Sequence, residues 1–263
     1  MLKKLLKYDI KNIFKGLLVF YILSLFFAIL TRLFLMIDNS FIMNVIARIC
    51  SGTTIAMIFN IIINNLIRSW VRFKENLYGD QSYLTHTLPV KKSEIYLSKF
   101  ISSIVSMFIS VIVILVTLII AFYSKENLEF IKNLIMPLAT VYESTVIKII
   151  LAFIFICFLE LTNMLESGYA GIILGHKRNS LKTVYSFAFG FGVYLCTQII
   201  AILGVFIVAL FDKDLMNLFY TMDAINVPTV KLCIMIAIVV YSINIIWLYV
   251  FNLIQFKKGV NVE

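Results

Sequence analysis

The sequence predicts an all-α integral membrane protein: six transmembrane helices, an N-terminal amphipathic interfacial helix, and a short helix in the polar loop between spans 2 and 3. Three observations carry this. Of 263 residues, 62% are hydrophobic and only 14% charged, and the mean hydropathy is +0.99, which leaves too little polar surface to cover a soluble globule. Several apolar runs exceed the roughly 18 residues that cross the hydrocarbon layer. The 23 Lys and Arg are also shared unevenly. Under a six-span reading only Arg32, Arg48, Lys125, Lys132, Lys148, Lys213 and Lys231 fall at outer ends and loops, and the positive-inside rule then places both termini in the cytoplasm. The expected location is the cell (plasma) membrane, crossed several times. A net charge of +9 could mark a nucleic-acid binder in a soluble protein. Here the basic residues cluster between spans, so nucleic acid is excluded as a partner and membrane lipid is expected as one.

The chain reads as a single transmembrane domain over 1–263. In Met1 to Lys15, Leu2, Leu5, Leu6, Ile10, Ile13 and Phe14 share one helical face, while Lys4, Lys7, Lys11 and Lys15 recur on the other. Such a helix lies in the interface of an anionic leaflet. The apolar run after it has no small-residue cleavage pattern, so it is an uncleaved first span, about 17–37. Asp38-Asn39-Ser40 makes a turn into span 2, about 41–67, where Asn60 and Asn64 are four apart and share a face. Amides in hydrocarbon need partners. Either they bond a neighbouring helix or they line a translocation path, and Arg48 reads as a snorkelling or ion-paired residue.

Span 3 runs over about 100–123. Leu128 to Glu143, which includes Pro137, suits an interfacial outer loop. Span 4, about 145–175, is overlong and holds Glu160, Asn163 and Glu166 ahead of Gly168, Gly171 and Gly175. A carboxylate inside the membrane is protonated, paired or facing a wet cavity, so Glu160 and Asn163 join Asn60 and Asn64 as translocation-path candidates. Alternatively the helix tilts or breaks near Gly168, leaving Glu166 at the inner interface and only Glu160 inside. Ser180 is placed to cap span 5, about 184–211, in which Ala188 and Gly192 have the small-x-x-x-small spacing of closely packed helices. Asp212 to Pro228 forms an outer loop before span 6, about 230–251.

The longest polar stretch, Arg68 to Phe100, separates spans 2 and 3. Asp80 can cap a short helix over Gln81 to Thr87, which Pro89 stops. Ser93, followed by Glu94, can cap the helix that leads into span 3. Leu77, Leu84 and Leu88, with Tyr83 beside them, give the short helix an apolar edge.

Tyr78-Gly79-Asp80, Tyr83-Leu84-Thr85-His86-Thr87-Leu88-Pro89-Val90 and Ser98-Lys99-Phe100 resemble a segment of the membrane (permease) subunits of ATP-binding-cassette exporters, in the class with six spans per subunit. The shared pattern is D-x-x-x-L-T-x-x-L-P-V followed by S-K, about 23 residues in all. The resemblance implies that Tyr78, Gly79, Asp80, Gln81, Ser82, Tyr83, Leu84, His86, Leu88 and Pro89 form a coupling helix and its elbow, docked on a separate ATPase subunit. It further implies pairing with a second permease subunit, identical or related. The transport reading is export of an amphipathic substrate, such as an antimicrobial peptide, bacteriocin or lipid.

No G-x-x-x-x-G-K-[ST] occurs, so the chain has no phosphate cradle of its own, and ATP and magnesium belong on the partner ATPase. It is not expected to be an enzyme. An intramembrane protease would need a metal site or a serine with a base, yet His86 and His176 belong to no H-E-x-x-H pattern. Cys50, Cys157, Cys196 and Cys233 sit in apolar runs without C-x-x-C spacing, so no catalytic, zinc or other metal site and no disulfide is expected. A sensor or immunity subunit that acts without net export would share all of these features.

Overall fold

The computed structural model describes residues 2–37, 41–141, 144–220 and 227–259. The turn expected at Asp38-Asn39-Ser40, Glu143, and positions 221–226 of the Asp212 to Pro228 loop lie outside the described residues. Among the described residues the chain forms nine helices: α1 (Leu2–Leu35), α2 (Phe41–Leu77), α3 (Ser82–Thr87), α4 (Lys92–Phe122), α5 (Lys125–Val141), α6 (Val146–Gly175), α7 (Lys182–Ala209), α8 (Lys213–Tyr220) and α9 (Val227–Lys257). Six of them, α1, α2, α4, α6, α7 and α9, are long and apolar enough to cross a membrane. The chain is therefore a multi-pass membrane protein by length and composition. It divides into two compact units, Met1–Leu128 and Glu129–Val262.

In the first unit α1 packs against both α2 and α4. It runs unbroken, so the basic lead-in and the first apolar run form one helix, with Ile13, Leu17, Tyr21 and Ala28 buried at spacings of four, four and seven. Against that stripe α4 buries Ser98, Ser102, Ser103, Ser106 and Ser110, and small side chains let helix backbones come close. Their hydroxyls are used. Tyr21 Oη and Ser110 Oγ lie 2.6 Å apart, Asn65 Nδ2 donates to Ser110 Oγ (2.6 Å), and Ser106 Oγ donates to Asn65 Oδ1 (3.1 Å). Of Asn60, Asn64 and Asn65, it is thus Asn65 that bonds across helices. Asn60 and Asn64 instead donate to carbonyls of their own helix, at Ala56 (3.0 Å) and Asn60 (2.9 Å). A one-residue step rotates a helix position by about 100°, which puts Asn65 inside while its neighbour faces outward.

In the second unit α6 packs against α7 and α9. Of the two alternatives, a tilt or a break near Gly168, the break does not occur: α6 is continuous to Gly175. Its glycines serve close approach. A Cβ at Gly171 would collide with the Ser186 carbonyl oxygen and the Gly190 backbone, and one at Gly175 with Ser186. The matching small pair on α7 is therefore Ser186 and Gly190, whereas Ala188 is exposed and Gly192 has open space around it. Ser180 does not cap α7: Leu181 occupies the N-cap in a left-handed conformation with no side-chain bond. The segment expected as an outer loop is largely helical as α5, whose Ile135 and Ala139 pack on Ile149 of α6. Asp212 Oδ1 accepts from Leu215 N (3.0 Å) and caps α8, whose Leu215 closes a cluster with Ala209 and Ile236.

Candidate functional site

The segment between α2 and α4 is held from beneath by buried side chains. Phe73, Tyr78 and Tyr96 form an aromatic base, with Phe73 and Tyr96 edge to face at 6.0 Å, and burial pushes the Tyr78 phenol well above its ordinary pKa. Tyr78 N and Gly79 N both donate to the Lys74 carbonyl, at 2.8 and 3.1 Å, and turn the chain out of α2. His86 Nε2 donates to the Leu77 carbonyl at 3.1 Å and pins the far end of α3 back on α2.

Asp80 does not cap α3. It is exposed, and the N-cap position is Gln81, which has no side-chain capping bond. The Gln81 side chain turns inward, where its Oε1 accepts from Asn76 Nδ2 (2.8 Å) and Arg72 Nη1 (3.1 Å). Ser93 is likewise inside α4, which begins at Lys92 without a side-chain cap; Glu94 does lie in its first turn. Pro89 follows an extended Leu88 (ψ 138°), as the steric demand of proline on its predecessor requires. Tertiary hydrogen bonds thus do the work that local caps were expected to do.

Those bonds lead to an ion cluster. Lys99 Nζ donates to Asn76 Oδ1 (2.7 Å) and to Asp9 Oδ1 (2.5 Å), Ser98 Oγ donates to Asp9 Oδ2 (3.0 Å), and Arg72 Nη2 lies 3.7 Å from Asp9 Oδ1. Asp9 is 1% and Lys99 5% exposed. The path from α1 through α4 and α2 to Gln81 is continuous. Ser98-Lys99 supplies two of its links. Asp9 was not legible as a site residue, although a lone carboxylate between Leu6 and Ile13, on the apolar face of a basic helix, is the signal that points to it.

On α3 itself the side chains face out. Tyr83 (66%), Leu84 (75%) and Leu88 are exposed, while Ser82 is buried. Leu77 does not share their edge, because it is fully buried at the end of α2.

The second unit carries its own polar layers. Glu160 is half-buried on α6, and its Oε1 accepts from Tyr194 Oη (2.7 Å) and Gln198 Nε2 (2.9 Å) of α7, with Tyr241 Oη of α9 donating to Gln198 Oε1 (3.2 Å). One turn on, Asn163 is fully buried and donates to Thr197 Oγ1 (2.9 Å). Glu166 is also fully buried, and its Oε2 accepts from Asn252 Nδ2 (2.5 Å). Tyr194, Gln198 and Tyr241 escaped the sequence reading because each is unremarkable alone in an apolar run. Of the four path candidates, Asn60 and Asn64 belong to the first unit, and Glu160 and Asn163 to the second.

Glu160→Gln should keep the oxygen acceptor that Tyr194 and Gln198 use and change thermal stability by no more than about 1 kcal/mol. Glu160→Leu strips both donors of their acceptor and should cost about 1–3 kcal/mol per orphaned group. Thermal unfolding of the two purified variants checks this; equal melting of both would show that the carboxylate oxygen is not holding the three helices.

Among the described residues no group of His, Cys, Asp and Glu is arranged to hold a metal ion, and all four cysteines are free thiols. No protein-family model, curated protein or solved structure matches the chain.

Proposed function

We propose that this chain is a permease subunit of the ATP-binding-cassette exporter type, which moves an amphipathic substrate across the cell membrane with energy from a separate ATPase subunit. The observation that carries the reading is α3: a short helix that exposes Tyr83 and Leu84 while Gln81, His86 and the buried Asp9–Lys99–Arg72 cluster hold its base rigidly. An element built this way transmits force, because movement of its outer face cannot be absorbed locally and passes to α2 and α4. On this reading α3 is the coupling helix, the basic start of α1 lies at the cytoplasmic interface with both termini inside, and a second permease subunit completes the pathway. ATP and magnesium reside on the ATPase.

Tyr83→Asp or Leu84→Asp would bury an unpaired charge in the partner's groove, at a cost of several kcal/mol. Membrane insertion should survive, since no span is altered. Both Asp variants should lose ATPase co-purification and substrate-stimulated ATP hydrolysis, while Thr87→Ala behaves as wild type. Full coupling in both Asp variants would move the contact surface elsewhere, most directly to His176 to Lys182.

A further inference from the structure

Between α1 and α2, at the end where apolar sequence gives way to the polar loop, a crevice of about 520 Å³ opens beside the ion cluster. Its charged lining is Arg68, Arg72 and Glu75, and Asn12 and Asn64 add amides. Arg72 is engaged on both terminal nitrogens. Gln81 and Asp9 take part, the Asn12 amide oxygen turned toward it accepts from Nη1 (2.9 Å) and Nη2 (3.1 Å), and the guanidinium lies 5.1 Å over the Tyr8 ring.

Arg68 differs. Its guanidinium sits 5.9 Å over the Phe20 ring and in the space left by Gly16, where a Cβ would collide with it. It makes no ion pair and no hydrogen bond among the described residues; its Nε, like that of Arg72, is shielded from solvent without an acceptor, so the difference between the two lies in the terminal nitrogens. A ring face attracts the charge but satisfies none of the five N–H donors of a guanidinium. The cluster as a whole, Asp9 and Glu75 against Arg68, Arg72 and Lys99, has one cation in excess. A half-buried cation in that position lacks one anionic partner.

We infer that this crevice binds the phosphate of an anionic membrane lipid, with Arg68 as the principal ligand and Asn12 and Asn64 beside it. A guanidinium fork matches the geometry of phosphate oxygens. The lipid, rather than a soluble phosphate, is indicated by what adjoins the arginine. Ile63, Ile67 and Val71 are exposed on α2 at spacings of four, and Ile67 and Val71 also line the crevice, so an acyl chain can follow the helix from the phosphate into hydrocarbon. The site abuts Arg72, which holds Gln81, so lipid occupancy supports the seat of α3. The inference needs the six helices to be membrane-inserted but does not need an ATPase partner.

The test is lipid retention by the full-length chain, purified from nanodiscs containing phosphatidylglycerol and phosphatidylcholine and read by native mass spectrometry. Arg68→Gln should retain about 5- to 10-fold less phosphatidylglycerol than wild type, with phosphatidylcholine unchanged. Arg68→Lys should be intermediate, and Lys125→Gln, a basic residue elsewhere in the unit, should match wild type. Equal loss in Arg68→Gln and Lys125→Gln would reduce the effect to surface charge and overturn the site. Unchanged retention in Arg68→Gln would also overturn it. Displacement of the retained lipid by inorganic phosphate at equal concentration would assign the crevice to a soluble anion and overturn the lipid assignment. A Gly16→Ala variant, which pushes the Arg68 guanidinium from its place without removing charge, should lower retention as Arg68→Gln does.

Discussion

Asp9→Asn should destabilise the first unit by about 3–5 kcal/mol, because it leaves buried Lys99 without its counter-charge, and Lys99→Met by less, about 1–3 kcal/mol, because Asp9 keeps Arg72 at 3.7 Å and loses only the Lys99 bond. The double variant should recover much of that loss, since an amide and a thioether carry no net charge into the interior. The same replacements predict a local effect. Asn76 and Arg72, released from Lys99 and Asp9, no longer fix Gln81, so trypsin should cut faster after the exposed Lys91 and Lys92. Heat-induced unfolding in detergent and timed proteolysis measure the two effects separately. Single variants as stable as the double would mean that the pair is not a coupled unit.

The second large effect is at the α6–α7 contact. Gly171→Leu should cost about 3 kcal/mol or more, because the obstacle is the Ser186 carbonyl and Gly190 backbone of another helix and cannot rotate away. Gly192→Ala is the internal contrast. Its Cβ would meet nothing within 4 Å, so it should be neutral or stabilise by about 0.5–1 kcal/mol through helix propensity alone. Melting temperatures of the two variants in one detergent decide the point; equal losses would indicate that α6 and α7 are not in backbone contact at Gly171.

These residues also show how far the sequence could be read. Six spans were legible because crossing hydrocarbon imposes a length and composition that a single chain displays on its face. Which side of a span faces its neighbours was not, as Asn60 and Asn64 against Asn65 illustrate: the three amides lie within six residues, and only the position of α4 makes Asn65 the one with partners on another helix. Local capping signals at Asp80 and Ser93 were present but unused, since bonds from Arg72, Asn76 and His86 fix that loop instead, and at Ser180 the cap position falls to Leu181. Asp9 and Lys99 are 90 residues apart, and nothing local couples a carboxylate in one helix to an amine in another. Glu160 stood out as a charge within an apolar run, yet its three-helix setting with Tyr194, Gln198 and Tyr241 depends wholly on packing.

The proposed function turns on whether the exposed face of α3 meets an ATPase. A photo-crosslinking residue placed at Leu84, activated in membranes of the source cell, reads that contact directly. The expected result is a dominant adduct with a nucleotide-binding subunit that carries the G-x-x-x-x-G-K-[ST] cradle this chain lacks, lost when the probe is moved to buried Leu77. Adducts only with lipid or with a second copy of this chain, and none with a nucleotide-binding protein, would contradict it.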